Sequence, residues 1–198
     1  MKIAQTLLAV AVLLTAAGAA QAMPIVYQAA LSGAAEQPPN ASPGTGLATV
    51  AYDPALHTLS VAVSFSGLVG NTTAAHIHCC VDAPGTVGVA TTTPTFPGFP
   101  AGVTSGTYNQ LFDLMLASSF SSSFITASGG GIADAELALA NGLGSGRAYF
   151  NIHTSLFAGG EIRGFLTAER APAPEPATLS LLSLGIASLV AARRRRSI

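Results

Sequence analysis

The residues with the greatest capacity for chemistry are clustered in His76-Ile77-His78-Cys79-Cys80. Alternate side chains of a β-strand share one face, and each residue advances the chain by about 3.3 Å. On a strand, His76 and His78 would therefore point the same way, with Cβ atoms roughly 6.5 to 7 Å apart. Two imidazoles at that separation can converge on one ion, and imidazole is a ligand of both zinc and copper. The spacing predicts part of a metal site.

His153 is the third candidate ligand, in a second run with strand character. The inward face of this run is Ala148, Phe150 and Ile152, and the outward face is Tyr149, Asn151 and His153. All three histidines would then lie on the side away from the core, where a long excursion of the chain can cover them. Two interpretations stay open: one copper or zinc ion bound by His76, His78 and His153, or three histidines that hydrogen-bond a covering segment to the sheet.

Cys79 and Cys80 are the two cysteines of the chain, and they are neighbours. Paired cysteines outside the cytoplasm usually oxidise. A disulfide between neighbours closes an eight-membered ring, which is more reducible than an ordinary bridge. The alternatives are thiolate ligands beside His76 and His78, or bridges between molecules. The vicinal disulfide is slightly favoured over the metal role.

Three further charged residues are expected to be structural. Glu161 and Arg163 flank Ile162, so on a strand they would share the face opposite to it and could clamp the long excursion, with Arg147 joining them. His57 lies in a hairpin turn, where we expect it to be exposed and inert. No Ser/His/Asp arrangement, phosphate-binding loop or carboxylate pair stands out, so no catalytic residue is assigned.

The two ends of the chain indicate export. Lys2 precedes an apolar run from Leu7 to Ala20, and Ala20-Gln21-Ala22 is a small-x-small cleavage site. Residues 1–22 are therefore predicted to be a secretory signal peptide, with the mature chain starting at Met23. An uncleaved membrane helix is the alternative.

The other end combines Pro174-Glu175-Pro176, an apolar run of about 16 residues and Arg193-Arg194-Arg195-Arg196. Positive charge beside a span stays cytoplasmic. The predicted organisation is an exported domain (23–170), a linker (171–176), a transmembrane segment (177–192) and a cytoplasmic Arg-rich tail (193–198). The tail resembles a PEP-CTERM sorting signal, which implies a partner enzyme of the exosortase type that cleaves near the motif. A simple C-terminal membrane anchor is the alternative.

Charge excludes one class of partner. Between Met23 and Ala173 there are eight acidic residues, three arginines and no lysine, because the removable ends carry most of the positive charge. Nucleic-acid binding depends on basic patches, so it is not expected.

The pattern between the ends is mostly β, with period-two alternation clearest from Thr58 to Phe65. Two segments have apolar residues at helical spacing instead, Asn109–Phe120 and Ile132–Asn141, and Gly142 stands where a helix-terminating glycine belongs. The predicted strands are 27–31, 46–52, 58–65, 73–78, 146–154 and 161–169. We therefore predict an all-β fold with one long excursion that contains two short helices.

Several motifs resemble the CHRD domain, the repeat first described in chordin. They are Leu31-Ser32-Gly33 with Glu36, the Asp53 hairpin, Ala75-His76-Ile77-His78, Gly129-Gly130, Gly146 to Thr154 and Phe157 to Gly164. The resemblance covers about Tyr27 to Ala168 and implies a Greek-key β-sandwich of the kind seen in superoxide dismutases and immunoglobulins. The molecular activity of this family is not well established.

The His-x-His strand with a distant strand histidine also resembles the copper site of copper/zinc superoxide dismutases. The full dinuclear site of those enzymes needs six histidines and an aspartate, and this chain has four histidines. The resemblance therefore implies at most a mononuclear site.

Three functions follow from these features. The first is a non-enzymatic structural or adhesive role at the cell surface or in the extracellular matrix, with polysaccharide or surface proteins as partners. The second is a mononuclear copper or zinc protein, with redox activity as an extension. The third is capture of a protein ligand by the long excursion. Convergence of the three imidazoles separates the second from the others, since no single ion joins nitrogens more than about 8 Å apart.

Overall fold

The described part of the chain, residues 23–169 of the computed structural model, is built on one curled antiparallel sheet. The sheet order is β4-β6-β7-β1-β2-β3-β5, and β8 also pairs with β1. The strands are β1 (Ile25–Ser32), β2 (Thr45–Asp53), β3 (Thr58–Ser66), β4 (Thr72–Cys79), β5 (Gly106–Asp113), β6 (Ala148–Thr154), β7 (Ile162–Phe165) and β8 (Thr167–Ala168). Two α-helices, α1 (Ser122–Ala127) and α2 (Ile132–Gly144), occur within these residues.

The all-β expectation is confirmed. The predicted signal peptide, linker, transmembrane segment and tail lie outside the described residues.

One-sided burial explains the pairing of β2 with β3. Leu59, Val61, Val63 and Phe65 are each no more than 4% exposed, and the residues between them are not buried. Val61 pairs with Val50 across the strands. A shift of one residue would turn the whole apolar set to solvent, so the alternation determines the register.

The pairing of β4 with β6 positions the candidate ligands. Ala75 lies opposite Ile152, and Ile77 lies opposite Phe150; all four side chains are fully buried in the core. Since alternate side chains point to opposite faces, His76 and His78 project from the other face of the sheet. His153 lies opposite Ala74 on the neighbouring strand.

The helix predicted for Asn109–Phe120 is wrong. Its first five residues, Asn109 to Asp113, belong to β5, which pairs with β3 from Gly106 to Asp113. Tyr108, Phe112 and Leu114 are buried at alternate positions, whereas Leu111 and Met115 are 62% and 64% exposed. Two features favour a strand over a helix here. Large side chains alternate with a period of two, and the backbone of β3 needs hydrogen-bond partners along this edge. The first helix is instead α1, whose start is capped by Ser121 Oγ accepting from the Phe124 N–H.

The second predicted helix exists, but it continues to Gly144 rather than ending at Asn141. Gly142 therefore lies inside α2 and is not the residue that terminates it. Its Cα faces the Cys79 and Cys80 sulfurs so closely that an added Cβ would collide with both. The glycine with a left-handed backbone after the helix is Gly146, at φ +69°.

Two glycines of α2 provide a matched test of this close contact. Gly142→Ala should lower the free energy of unfolding by about 1–3 kcal/mol, because the methyl group meets the paired sulfurs. Gly144→Ala meets no atom within 4 Å, and it should be neutral or stabilise the protein by up to about 1 kcal/mol. Urea unfolding of both variants measures the difference. Equal effects of the two substitutions would contradict the proposed packing.

Candidate metal centre

One ring nitrogen from each of His76, His78 and His153 lies within 4.8 Å of the other two. The ring centroids are 5.2–5.9 Å apart. His76 and His78 are buried, and His153 is partly buried. The structure thus brings together the three histidines that sequence spacing singled out, although 75 residues separate His78 from His153.

Backbone carbonyls determine which nitrogen of each ring is free. His76 Nε2 donates to the Pro94 oxygen at 2.7 Å, His78 Nδ1 to the Val87 oxygen at 2.8 Å, and His153 Nδ1 to the Ala158 oxygen at 2.9 Å. A carbonyl only accepts, so in a neutral ring the opposite nitrogen carries a lone pair. These opposite nitrogens are buried and have no hydrogen-bond partner within residues 23–169. Metal-binding histidines are oriented by outer hydrogen bonds of the same kind.

Burial keeps the three imidazoles neutral. It lowers the pKa of His78 to about 4, with further lowering from His153, His76 and Arg163, although the hydrogen bond to Val87 opposes the shift. Burial also lowers the pKa of His76 and of His153, against the effect of their carbonyl partners. A histidine must be deprotonated to bind a metal, so these lowered pKa values favour the ligand form of the rings at neutral pH.

The segment that covers the histidines is not the helical excursion that the sequence suggested. Two of the three carbonyls, those of Val87 and Pro94, belong to the Pro/Gly/Thr-rich loop between β4 and β5, and the third, that of Ala158, belongs to the turn before β7. The Tyr149 ring stacks on His78 with centroids 4.7 Å apart. Tyr149 and Asn151 are therefore buried on their own face of β6 rather than exposed.

Cys79 and Cys80 are joined as a vicinal disulfide in the structure. Their sulfurs lie against α2, where Cys80 Sγ is 3.5 Å from the Ala138 oxygen. Within residues 23–169, the group of close metal-capable atoms contains the three histidines and neither sulfur. This arrangement leaves the candidate site to imidazole nitrogens.

Comparison with protein families identifies the fold. The family model of the CHRD domain matches residues 27–166, which is well over half of the chain. The chain belongs to the CHRD-domain family. The PEP-CTERM protein-sorting motif matches residues 172–196. No curated protein and no solved structure matches the chain.

The sorting motif indicates export through the inner membrane with transient anchoring, and processing by an enzyme of the exosortase type. No helix among residues 23–169 has the length and apolar character needed to cross a membrane. The predicted transmembrane segment, 177–192, is outside that range. The CHRD family is not known for enzymes, and the match assigns no catalytic residue.

Arg163 is the largest fully buried side chain of the CHRD domain, at 1% exposure. Its guanidinium donates to the Ala35 oxygen at 2.6 Å, the Pro84 oxygen at 2.6 Å and the Gly85 oxygen at 3.2 Å. Its Cζ lies 4.8 Å from the centre of the Tyr149 ring, within range of a cation–π interaction. Arg163 thus joins the loop after β1 to the loop that supplies Val87. The sequence predicted a structural role for Arg163 on the face opposite Ile162, but it held no signal for the three carbonyl acceptors.

Arg147 does not join this group. It pairs with Asp82 at 3.1 Å, and both side chains are largely exposed. An exposed pair of this kind contributes less than about 1 kcal/mol.

Glu161 is fully buried and serves as a shared acceptor. Its carboxylate accepts hydrogen bonds from Ser42 Oγ, the Val69 N–H, the Gly70 N–H and Thr154 Oγ1. Burial alone would raise the pKa of Glu161, but these four hydrogen bonds favour the charged form and lower it. Thr154 is next to His153, so Glu161 holds the end of the strand that carries the third ligand.

His57 is exposed as expected, but it is not inert. Its Nδ1 lies 2.9 Å from Glu136 Oε2 on α2, and Tyr52 donates its hydroxyl to Glu136 Oε1 at 2.9 Å. The three residues connect the β2–β3 hairpin to α2. This link could not be predicted from the sequence, because Glu136 lies 79 residues from His57.

Glu161→Gln tests the buried acceptor. The Glu161 carboxylate accepts four hydrogen bonds, whereas a glutamine amide has one acceptor oxygen and would leave some of these donors unpaired. The free energy of unfolding at pH 7 should therefore fall by about 1–3 kcal/mol. Because folding lowers the pKa of Glu161, its contribution is present above the ordinary value of 4.5 and disappears as the pH falls through the folded-state value. Chemical unfolding from pH 7 down to pH 3 should therefore show the difference from the parent shrinking.

The control is Asp82→Asn, which removes one carboxylate from the exposed pair with Arg147. It should change stability by no more than about 0.5 kcal/mol. A Glu161→Gln variant that matches this control at every pH would refute the assigned role of Glu161.

Proposed function

We propose that this exported CHRD domain binds a single copper or zinc ion through His76, His78 and His153. The observation that supports the proposal is the convergence of the three histidines, one ring nitrogen of each lying within 4.8 Å of the other two. Each ring also has a buried nitrogen without a hydrogen-bond partner within residues 23–169. A buried polar atom without a partner is costly, and a cation bound among the three rings would satisfy such lone pairs.

The distances suit a first-row metal. Three atoms no more than 4.8 Å apart share a centre about 2.8 Å or less from each, and Zn–N bonds are about 2.0–2.1 Å long. The rings would therefore need to close by about 0.7 Å. Movement on this scale is within reach of side-chain adjustment on two strands that already pair with each other.

Donor chemistry narrows the choice of metal. Three neutral imidazoles suit zinc and copper better than magnesium or calcium, which prefer oxygen ligands. Three protein ligands, with the fourth position left to water or a small molecule, are typical of reactive rather than structural zinc sites. Bound copper would add one-electron chemistry, which is the redox extension of the proposal.

A structural or adhesive role at the cell surface or in the extracellular matrix is the second candidate. The sorting motif supports it, because processing by an exosortase-type enzyme would release the domain from the inner membrane. The acidic, lysine-free domain is compatible with polysaccharide or surface-protein partners but does not select one. A metal centre and a surface role are compatible, and the experiment below tests the metal alone.

The metal is tested on the full chain, exported to the periplasm and purified. We expect about one copper or zinc ion per chain by elemental analysis, before or after reconstitution. His76→Ala, His78→Ala and His153→Ala should each reduce affinity by more than the 10–100-fold that loss of an outer-shell partner costs. His57→Gln is the matched control, because this histidine lies outside the cluster and should keep full occupancy.

A copper-loaded sample should give an electron paramagnetic resonance spectrum with nitrogen hyperfine structure, which the three variants lose. Lack of metal after reconstitution with both ions would leave the histidines as hydrogen-bonding scaffold and favour the structural role. Equal losses in His57→Gln and the three site variants would show that folding, not ligation, was affected.

A further inference from the structure

A second set of unpartnered polar atoms lies beside a cleft of about 290 Å³. The cleft is lined by the loop from Glu36 to Asn40 and by residues of the turn before β7, Phe157, Gly159 and Gly160. Glu36 is only 5% exposed, and its Oε1 has no hydrogen-bond partner in the part of the chain that the structure describes. None of the three histidines lines this cleft, although the turn that lines it also includes Ala158.

Asn151 contributes the second unpartnered oxygen. Its side chain is 2% exposed, and its Oδ1 has no partner among residues 23–169. Gly160, at φ +130°, separates it from Glu36: a Cβ there would lie 2.5 Å from the Asn151 amide and 2.6 Å from Glu36 Oε1. The absence of a side chain at Gly160 thus leaves a small space bordered by the Glu36 carboxylate oxygen and by both polar atoms of the Asn151 amide.

Charge and shape indicate what fits this space. Glu36 Oε2 lies 3.7 Å from Arg163 Nε, so one carboxylate oxygen is compensated and the other is not. Both unpartnered atoms are acceptors, which calls for a ligand that donates N–H groups. Pro38, Pro39 and Phe157 supply apolar walls for a short carbon chain.

We propose that this cleft binds a primary alkylammonium group, with its N–H donors on Glu36 Oε1 and Asn151 Oδ1 and its carbon chain against Pro38, Pro39 and Phe157. The volume suits a chain of about four carbons rather than a drug-sized ligand. Burial raises the pKa of Glu36 to about 7, opposed by Arg163 and the Gln37 N–H, and a bound cation would favour the charged carboxylate further. The same chemistry occurs in free amines and in lysine side chains.

The probe is n-butylammonium, titrated into the full chain at pH 8 and followed by calorimetry and by the amide resonance of Gly160. We expect it to bind at least tenfold more tightly than n-butanol, which lacks the charge, and than tetramethylammonium, which lacks N–H donors. Glu36→Gln should weaken butylammonium binding at least tenfold while leaving n-butanol unchanged. Asp113→Asn, at an exposed acid of β5 that does not line the cleft, should leave all three ligands unchanged.

Equal binding of butylammonium and either comparison ligand, or an unchanged affinity in Glu36→Gln, overturns the proposal. If Glu36→Gln does not fold, the comparison of the three ligands on the parent chain decides alone. Nα-acetyl-lysine methylamide distinguishes the sources: tighter binding than butylammonium identifies a lysine side chain, and weaker binding identifies a free amine. Metal content is measured in the same samples, so failure of this site is distinguishable from failure of the metal centre.

Discussion

The structure around the histidines depends on one buried guanidinium. Arg163 reaches the carbonyls of Ala35, Pro84 and Gly85, so it joins the short 3-10 turn after β1 to the loop after β4. A buried cation is tolerated only when its donors are satisfied, and here backbone oxygens supply most of that compensation. The loop that Arg163 holds continues to Val87, which orients His78, and the Tyr149 ring lies between the guanidinium and that imidazole.

Glu161 performs the opposite task two residues earlier. It gathers N–H and O–H donors from loops on the same side of the sheet, where Arg163 gathers acceptors. Ile162 lies between them and is fully buried on the core face of the sheet. Because side chains alternate between the two faces, Glu161 and Arg163 both lie on the opposite face, which the loops cover. The Gly-rich, charge-poor loops of this chain are thus held by two buried polar side chains as well as by apolar packing, since Ala90 and Phe96 of the β4–β5 loop are fully buried in the core. The positions of the histidines depend on these loops, because loop carbonyls accept the hydrogen bonds that orient the three rings.

Sequence periodicity predicted the elements in which burial is one-sided. Leu59 to Phe65 identified β3, and the alternation around Ile77 and Ile152 placed the three histidines on a common face. Periodicity gave the wrong element at Asn109–Phe120. Leu111 and Met115 lie at helical spacing by coincidence, and the segment forms a strand because it pairs with the edge of β3, which is distant in sequence. The carbonyls of Val87, Pro94 and Ala158 could not be predicted either, since every residue has a carbonyl and only the loop conformation selects these. The residue types in a sequence indicate candidate ligands. The orientation of those ligands depends on the conformation of loop backbone, which the sequence pattern does not reveal.

The separation of the histidines along the chain also affects when an ion can be acquired. His76 and His78 lie on one strand, but His153 joins them only after β6 has paired with β4, a contact between segments 75 residues apart. An unfolded chain would offer at most the two-histidine half of the proposed site. The complete set of three imidazoles exists only once β4 and β6 have paired, so the affinity of the proposed centre for an ion would depend on the folded state.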